Sequence, residues 1–329
     1  MADERILVTG GTGCIGAWVV RKLVREGAPV TVLASHRRFD RLRLLLSPAE
    51  LEQVDLLDGT LDDMAAVEAH ARRSGVTRII HLAALQFPFC AADPVAGARV
   101  NVEGTVAVFE LVRRLGLERL VYASSAAVYG PKTMYAAVVG ADAPLHPTSH
   151  YGVYKVANEQ SAQVYWANSG ISSIGLRPHS AYGPGRDQGV TSKPTAAMIA
   201  AAAGRPYQVN FSGGAQFQFA GDVADAFIAA ARSRAEGAAV YSLGGPRITV
   251  GEIIAGIEAV EPAARGTITS EDRSLPFPEA FDGGPAERAL GIGGYTPLED
   301  GIRTTIETYR AALADGRLDG AWLDRVLGA

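Results

Sequence analysis

Cysteine is scarce in this chain: Cys14 and Cys90 are the two in 329 residues. They lack metal-ligand spacing, and two thiols make no disulfide framework, so no metal and no stapled secreted scaffold are expected. An excess of one charge is missing as well. The net charge of −4 gives no footprint for nucleic acid or an anionic membrane surface. No apolar run approaches the ~20 residues that span a bilayer. The charged start, Asp3-Glu4-Arg5, runs straight into an apolar stretch without a signal-peptide pattern, so a cytoplasmic protein is expected. Internal repeats and low-complexity tracts are absent too. A composition of 48% hydrophobic and 20% charged residues suits a large core in one large or two fused domains.

What the chain does have is glycine in one telling place. Ile6-Leu7-Val8 is an apolar run short enough for a buried parallel strand. It breaks into Gly10, Gly11 and Gly13, and Gly16 opens an amphipathic run from Trp18 to Val24. Strand, glycine turn and helix follow one another. Gly10 permits a tight turn, Gly13 lets the backbone approach a diphosphate, and Gly16 lets the helix pack on the strand. The helix N-terminus then offers free N–H groups to phosphate oxygens. Further strands are predicted at 29–33, 51–57, 78–83, 119–124 and 171–177, with helices over 61–73, 95–115 and 151–168 between them. That alternation indicates a parallel sheet covered on both faces. Beyond it the pattern mixes helices (194–203, 223–234, 250–260, 298–313) with short strands (207–211, 217–220, 239–243). A Pro/Gly-rich segment over 275–284 reads as a loop closing over something.

Chemistry enters at Tyr151-Gly152-Val153-Tyr154-Lys155, which sets Tyr151 and Lys155 one helical turn apart on one face. An ammonium near a phenol favours the phenolate and lowers its pKa, so such a tyrosine can move a proton near neutral pH. Ser125, at the end of the fifth strand, can bond the same substrate oxygen, because ligands sit at strand C-termini of a doubly wound sheet. Alone, the Tyr–Lys pair also fits an exposed helix face.

Together these pieces resemble the extended short-chain dehydrogenase/reductase superfamily, in its NAD-dependent epimerase/dehydratase branch. The matching stretches are Thr9 to Gly16, His81-Leu82-Ala83-Ala84, Ser124 to Gly130, Tyr151 to Lys155, Arg177-Pro178 with Tyr182-Gly183-Pro184-Gly185, Asp222-Val223-Ala224 and Pro297 to Ile302. The resemblance implies a Rossmann-type doubly wound α/β sheet with a smaller mixed C-terminal substrate region. It places a dinucleotide-binding domain with the catalytic groups at 1–178, and a mostly substrate-binding region at 179–329, with segments near 215–245 returning to the first. It implies Tyr151 as acid/base, Lys155 lowering its pKa and holding the nicotinamide ribose, and Ser125 orienting the substrate oxygen. For the cofactor it implies Gly10, Thr12, Gly13, Cys14, Ile15 and Gly16 at the diphosphate. Asp55 and Leu56 would lie near the adenine, and Leu82, Ala83, Ala84 and Pro178 along the cofactor. Asn101 would support the site from its helix. Cys14 reads otherwise as a packing residue.

The chain departs from that family in three places. The second strand ends Leu33-Ala34-Ser35-His36-Arg37-Arg38, without the acid that NAD-preferring members carry there. Ser35, Arg37 and Arg38 either hold the 2′-phosphate of NADP through charge-assisted bonds or form a solvated loop. NAD or NADP is therefore expected, with NADP slightly favoured. Second, the arginines that hold a sugar nucleotide's diphosphate are replaced by Ala215-Gln216 and by Glu271-Asp272, with Arg273 adjacent and one residue of register away. A diphosphate without cationic partners costs several kcal/mol in a desolvated site. Third, Ala126 and Ala127 stand where dehydratases carry an acid, so elimination of water is not expected.

The expected activity is hydride transfer at a secondary alcohol or ketone of a carbohydrate-like small molecule without a nucleotide, by an epimerase or dehydrogenase. The alternatives are a nucleotide-sugar 4-epimerase and a non-catalytic dinucleotide sensor. Gln86, Ala126, His179 and Thr191 are the further substrate candidates. Gln86 otherwise makes a loop hydrogen bond, His179 a structural one, and Thr191 caps a helix. The resemblance also suggests a homodimer through the helices 95–115 and 151–168.

Overall fold

A computed structural model describes residues 4–34 and 39–328. Ser35, Arg37 and Arg38 lie outside the described residues. The strands in chain order are β1 (Ile6–Thr9), β2 (Val30–Ala34), β3 (Asp55–Asp58), β4 (Arg78–His81), β5 (Arg119–Ala123), β6 (Ser172–Arg177), β7 (Ser180–Tyr182), β8 (Tyr207–Val209), β9 (Gly214–Phe219), β10 (Ala238–Ser242), β11 (Arg247–Thr249) and β12 (Ile268–Ser270).

Seven of them form one parallel sheet in the order β10-β6-β5-β4-β1-β2-β3. Val8 pairs with Val32 on one side and Ile80 on the other. The strand order reverses between β1 and β4, which opens a crevice at their C-terminal ends. β1, β2 and β6 are buried along their whole length because helices cover both faces. On one face the helices Cys14–Arg25 and Ala220–Arg232 pack together over Val8, Val32 and Ile174. On the other, Met64–Ser74, Gly104–Leu115 and His150–Ser169 cover Leu7, Ile79 and Leu120. This is the Rossmann-type doubly wound α/β sheet.

Over the strand ends lies a smaller mixed layer. In it β9 runs antiparallel to β11 and parallel to β7, and β8 pairs with β12. Helices Lys193–Ala202, Val250–Val260 and Leu298–Ala314 back it. The last of these sends the buried Tyr309 hydroxyl to accept the N–H of Gly185 at 2.9 Å.

Three expectations about elements change. The third strand starts at Asp55, not at 51, because Ser47 and Glu50 form a capping box that keeps Pro48–Leu51 helical. The helix expected over 95–115 is three pieces: Pro94–Ala98, a wide π turn Arg99–Glu103, and Gly104–Leu115. The turn swings Asn101 inward, where its amide brackets the backbone of Leu85, accepting its N–H at 2.8 Å and donating to its carbonyl at 2.9 Å. The three-residue strands β7, β11 and β12 have no period in the sequence, since their partners alone make them strands. The 275–284 segment does close over the crevice. Lys132 donates its N–H to the Pro276 carbonyl, and Gln216 both accepts the N–H of Phe281 and donates to its carbonyl.

Candidate active site

The glycine turn is built by backbone alone. Gly10 takes φ +71°, and a Cβ there would sit 2.6 Å from the nitrogen of Ala83. A Cβ on Gly16 would run into the carbonyl oxygen of Gly10. Gly13 caps the helix Cys14–Arg25 with no side-chain bond, so the first N–H groups stay free. β4 is held against this turn by His81, whose Nδ1 is 2.6 Å from Thr9 Oγ1 and whose Nε2 is 3.1 Å from Thr105 Oγ1. Burial drives the imidazole down to about 3, so it stays neutral.

From the turn a cavity of about 940 Å³ runs along the strand ends. Gly10, Thr12, Gly13, Cys14, Ile15 and Gly16 line it, as do Leu82, Ala83, Ala84 and Pro178. The cradle that a Cβ would fill, the uncapped helix N-terminus and the length of the cavity together fit a dinucleotide. Cys14 is held as a thiol, pushed up to about 11 by burial, so it packs rather than reacts.

Ser125, Tyr151 and Lys155 meet in the same cavity. Ser149 starts the helix His150–Ser169 by accepting the N–H of Gly152 at 3.1 Å. A Cβ at Gly152 would strike the Ala127 carbonyl, so glycine lets that helix press against the turn after β5. Tyr151 is thereby brought beside Ser125 in the cavity. Lys155 is 3% exposed, and its Nζ donates to the Ala123 carbonyl at 2.7 Å and lies 5.5 Å from the Tyr151 ring centre. Burial lowers the lysine to about 8. The expected depression of Tyr151 is not found. Burial raises the phenol above its ordinary value, and Ser125 and Arg186, not Lys155, pull it back. The ammonium faces a backbone carbonyl, so its direct hold on the phenol is weak.

One turn further, Glu159 accepts from Arg177 through both oxygens at 2.7 and 2.6 Å, and from Ser124 at 2.5 Å. Arg177 also donates to the Tyr129 hydroxyl at 2.7 Å. This buried network ties β5 and β6 to the helix that carries Tyr151 and Lys155.

Several expected residues fall elsewhere. Asp55 and Leu56 do not line the cavity, because they sit at the start of β3 rather than its end. Asp55 instead takes Thr31 Oγ1 at 2.8 Å and His70 Nε2 at 2.6 Å. Gly59, Thr60, Leu61 and Asp62, after the strand end, line that part of the cavity. Asn101 does not reach the cavity and acts through Leu85. Gln86, Ala126, His179 and Thr191 all line it. His179 Nε2 donates to the Pro278 carbonyl at 2.9 Å, and Nδ1 has no partner among the described residues. Arg273 stays outside, its Nη2 on the Asn210 carbonyl at 2.7 Å. Arg41 and Arg186 were missed by the sequence reading, although Arg186 follows the quoted Gly183-Pro184-Gly185 directly. Among the described residues no group of three His, Cys, Asp or Glu is placed to hold a metal, and no helix is long and apolar enough to cross a membrane.

A family model described as NAD dependent epimerase/dehydratase family matches residues 6–244. The chain belongs to that family. Within this epimerase/dehydratase family, the UDP-glucose 4-epimerase of Mycolicibacterium smegmatis is 30% identical over 331 residues, spanning 93% of this chain and 98% of that protein. The D-erythronate dehydrogenase of Cupriavidus necator is 32% identical over 206 residues, 59% of this chain and 60% of that protein. Among solved structures, MoeE5 in complex with UDP-glucose and NAD superposes with a TM-score of 0.76 at 26% identity, covering 94% of this chain and 99% of that one.

Proposed function

We propose that this family member is an NAD-dependent epimerase that oxidises and re-reduces one secondary alcohol of a nucleotide sugar. The observation that carries the hydride-transfer part is the meeting of Ser125, Tyr151 and Lys155 in the cavity that the glycine turn opens. The full-length likeness to a UDP-glucose 4-epimerase and the UDP-glucose and NAD held by MoeE5 support the nucleotide-sugar part over the nucleotide-free substrate expected from the sequence. They also support NAD, whereas the NADP argument stands on Arg37 and Arg38, outside the described residues.

A bound nicotinamide supplies a hydride acceptor and, in return, a donor. The chain's own groups handle the proton. Tyr151, in its phenolate form, takes it from the substrate hydroxyl and as the phenol returns it, while Ser125 bonds the same oxygen and holds its direction. Lys155, fixed on the Ala123 carbonyl, contributes positive charge beneath the phenol. Residues 1–178 form the dinucleotide-binding part in this reading, and 179–329 mostly the substrate part, with segments near 215–245 returning to the first. A homodimer through the outer helices is supported by exposed Val153 and Val164.

The test is twofold. Cofactor released by acid from the purified chain and identified by mass should be NAD. A UDP sugar and its 4-epimer, UDP-glucose with UDP-galactose or UDP-glucuronate with UDP-galacturonate, should interconvert, with turnover lost in Tyr151→Phe.

One set of observations favours a second reading, a polyhydroxy compound without nucleotide. Ala215 is buried in β9, Gln216 spends its amide on Phe281 and Gly245, and Arg273 lies outside the cavity. Absorbance change with a free sugar acid or polyol, and none with UDP sugars, would favour it.

A further inference from the structure

Four cationic side chains line the cavity among the described residues: Arg41, Arg99, Lys155 and Arg186. Arg41 is met by Asp187 at 2.5 Å, Lys155 by the Ala123 carbonyl at 2.7 Å, and Arg99 is exposed to solvent. Arg186 is different. It is partly buried, and among the described residues its buried Nε has no partner and no carboxylate pairs with it. The neighbouring Asp187 is taken by Arg41. Arg186 donates from Nη2 to Thr191 Oγ1 at 3.3 Å.

A guanidinium keeps its proton, so it cannot escape a buried site by neutralising. Charge in that position is normally retained for an anionic partner. The surroundings are built to hold one. Gly189 takes φ +106°, and a Cβ there would come within 2.9 Å of Arg186 Nη2 and 2.7 Å of Gln86 Oε1, so glycine lets the two side chains share one corner. Thr191 accepts from Arg186 and keeps its own O–H to give. Gln86 brings its amide to the corner with Oε1 nearest, and a turn of the amide plane presents its –NH₂ donors instead. Two segments far apart in sequence, Gln86 on one and Arg186 with Thr191 on the other, thus converge a planar fork, a hydroxyl and an amide, a set that suits a carboxylate. The corner is close to the reacting groups, since the Arg186 charge is felt by the Tyr151 phenol.

We propose that Arg186, with Thr191 and Gln86, is a carboxylate subsite, and that the substrate is a sugar acid, free or nucleotide-linked. The carboxylate lies a few atoms from the alcohol that Tyr151 serves. This deepens the hydride-transfer reading and rests on it. The cofactor's diphosphate is the other anion within reach. It is already served by the free N–H groups after Gly13, and Nη2 of Arg186 faces Thr191 and Gln86 instead.

The experiment is calorimetric binding to the full NAD-loaded chain of three matched pairs: D-glucuronate and D-glucose, D-galacturonate and D-galactose, UDP-glucuronate and UDP-glucose. Wild type should bind the acid of at least one pair tenfold or more tightly than its neutral partner. Arg186→Met should erase that preference, Arg186→Lys should restore part of it, and NAD affinity should stay within twofold in both. A neutral preference, no acid binding at millimolar concentration, or an acid preference that survives Arg186→Met overturns the proposal. A tenfold loss of NAD affinity in Arg186→Met overturns it too, and assigns the charge to the cofactor. Tyr151→Phe separates the two levels: it should keep the acid preference in binding while losing turnover. A Tyr151→Phe chain that still turns over would sink the hydride-transfer reading and leave the binding ratio to judge the subsite.

Discussion

The two ends of the cavity are made in opposite ways. At the glycine turn the recognising groups are backbone N–H donors from one continuous stretch, Thr9 to Gly16, and side chains matter mainly by their absence. At the proposed substrate end the cavity is lined by side chains from three segments, Gln86 after β4, Ser125 after β5, and His179, Arg186 and Thr191 after β6 and β7. Backbone recognition suits a ligand part that never varies, a diphosphate. Side-chain recognition can change one residue at a time without disturbing the fold. The cofactor end is therefore fixed by geometry and the substrate end by composition.

The sharpest way to break that contrast is at the proton relay, where one atom matters. Tyr151→Phe should lower kcat by roughly 10²–10⁴, with the melting temperature nearly unchanged, in a steady-state assay on the preferred substrate. Next comes the network that holds both ends together. Arg177→Met leaves Glu159 buried without its counter-charge and should cost about 3–5 kcal/mol in urea unfolding. Arg177→Lys should recover only part of that, since a single ammonium cannot meet both carboxylate oxygens.

At the cofactor end, Gly16→Ala sets a methyl group against a backbone carbonyl that cannot move away. NAD affinity should fall at least tenfold while the acid-over-neutral substrate ratio is preserved. A matched loss at both ends would show that they are not separable. Smallest per pH unit is an electrostatic effect. His81 binds no proton in the folded state until about pH 3, whereas its unfolded value is 6.5. The unfolded chain holds the extra proton between those values, so stability should rise with pH there, by up to about 1.4 kcal/mol per unit. His81→Gln should flatten that part of the profile relative to wild type.

The same contrast explains what could be read from the chain alone. The glycine turn and the Tyr151–Lys155 spacing are local patterns, and local patterns survive in sequence. The sheet was legible because its central strands carry short apolar runs, such as Ile6-Leu7-Val8 and Leu120-Val121. The start of β3 was not, since a capping box delays the strand, and the cavity is lined by Thr60 and Leu61 beyond its end rather than by Asp55 and Leu56. The π turn at 99–103 was hidden inside a normal helical period. Arg186, Thr191 and Gln86 carry no mutual spacing. Only the fold, and the missing side chain of Gly189, puts them in one corner. The phenol's raised pKa was also out of reach, because burial and the lysine's carbonyl partner depend on the finished packing.

The bond from Gly185 to Tyr309 has a consequence for how the protein comes into being. The residue before Arg186 gives its N–H to a hydroxyl that is 124 positions downstream. During translation the sheet and the glycine turn can assemble while that hydroxyl is still unmade or inside the ribosome. The substrate corner cannot settle until Leu298–Ala314 emerges and docks. In the proposed assignment the dinucleotide cradle is thus complete earlier in synthesis than the substrate corner, and the order of synthesis becomes an order of assembly.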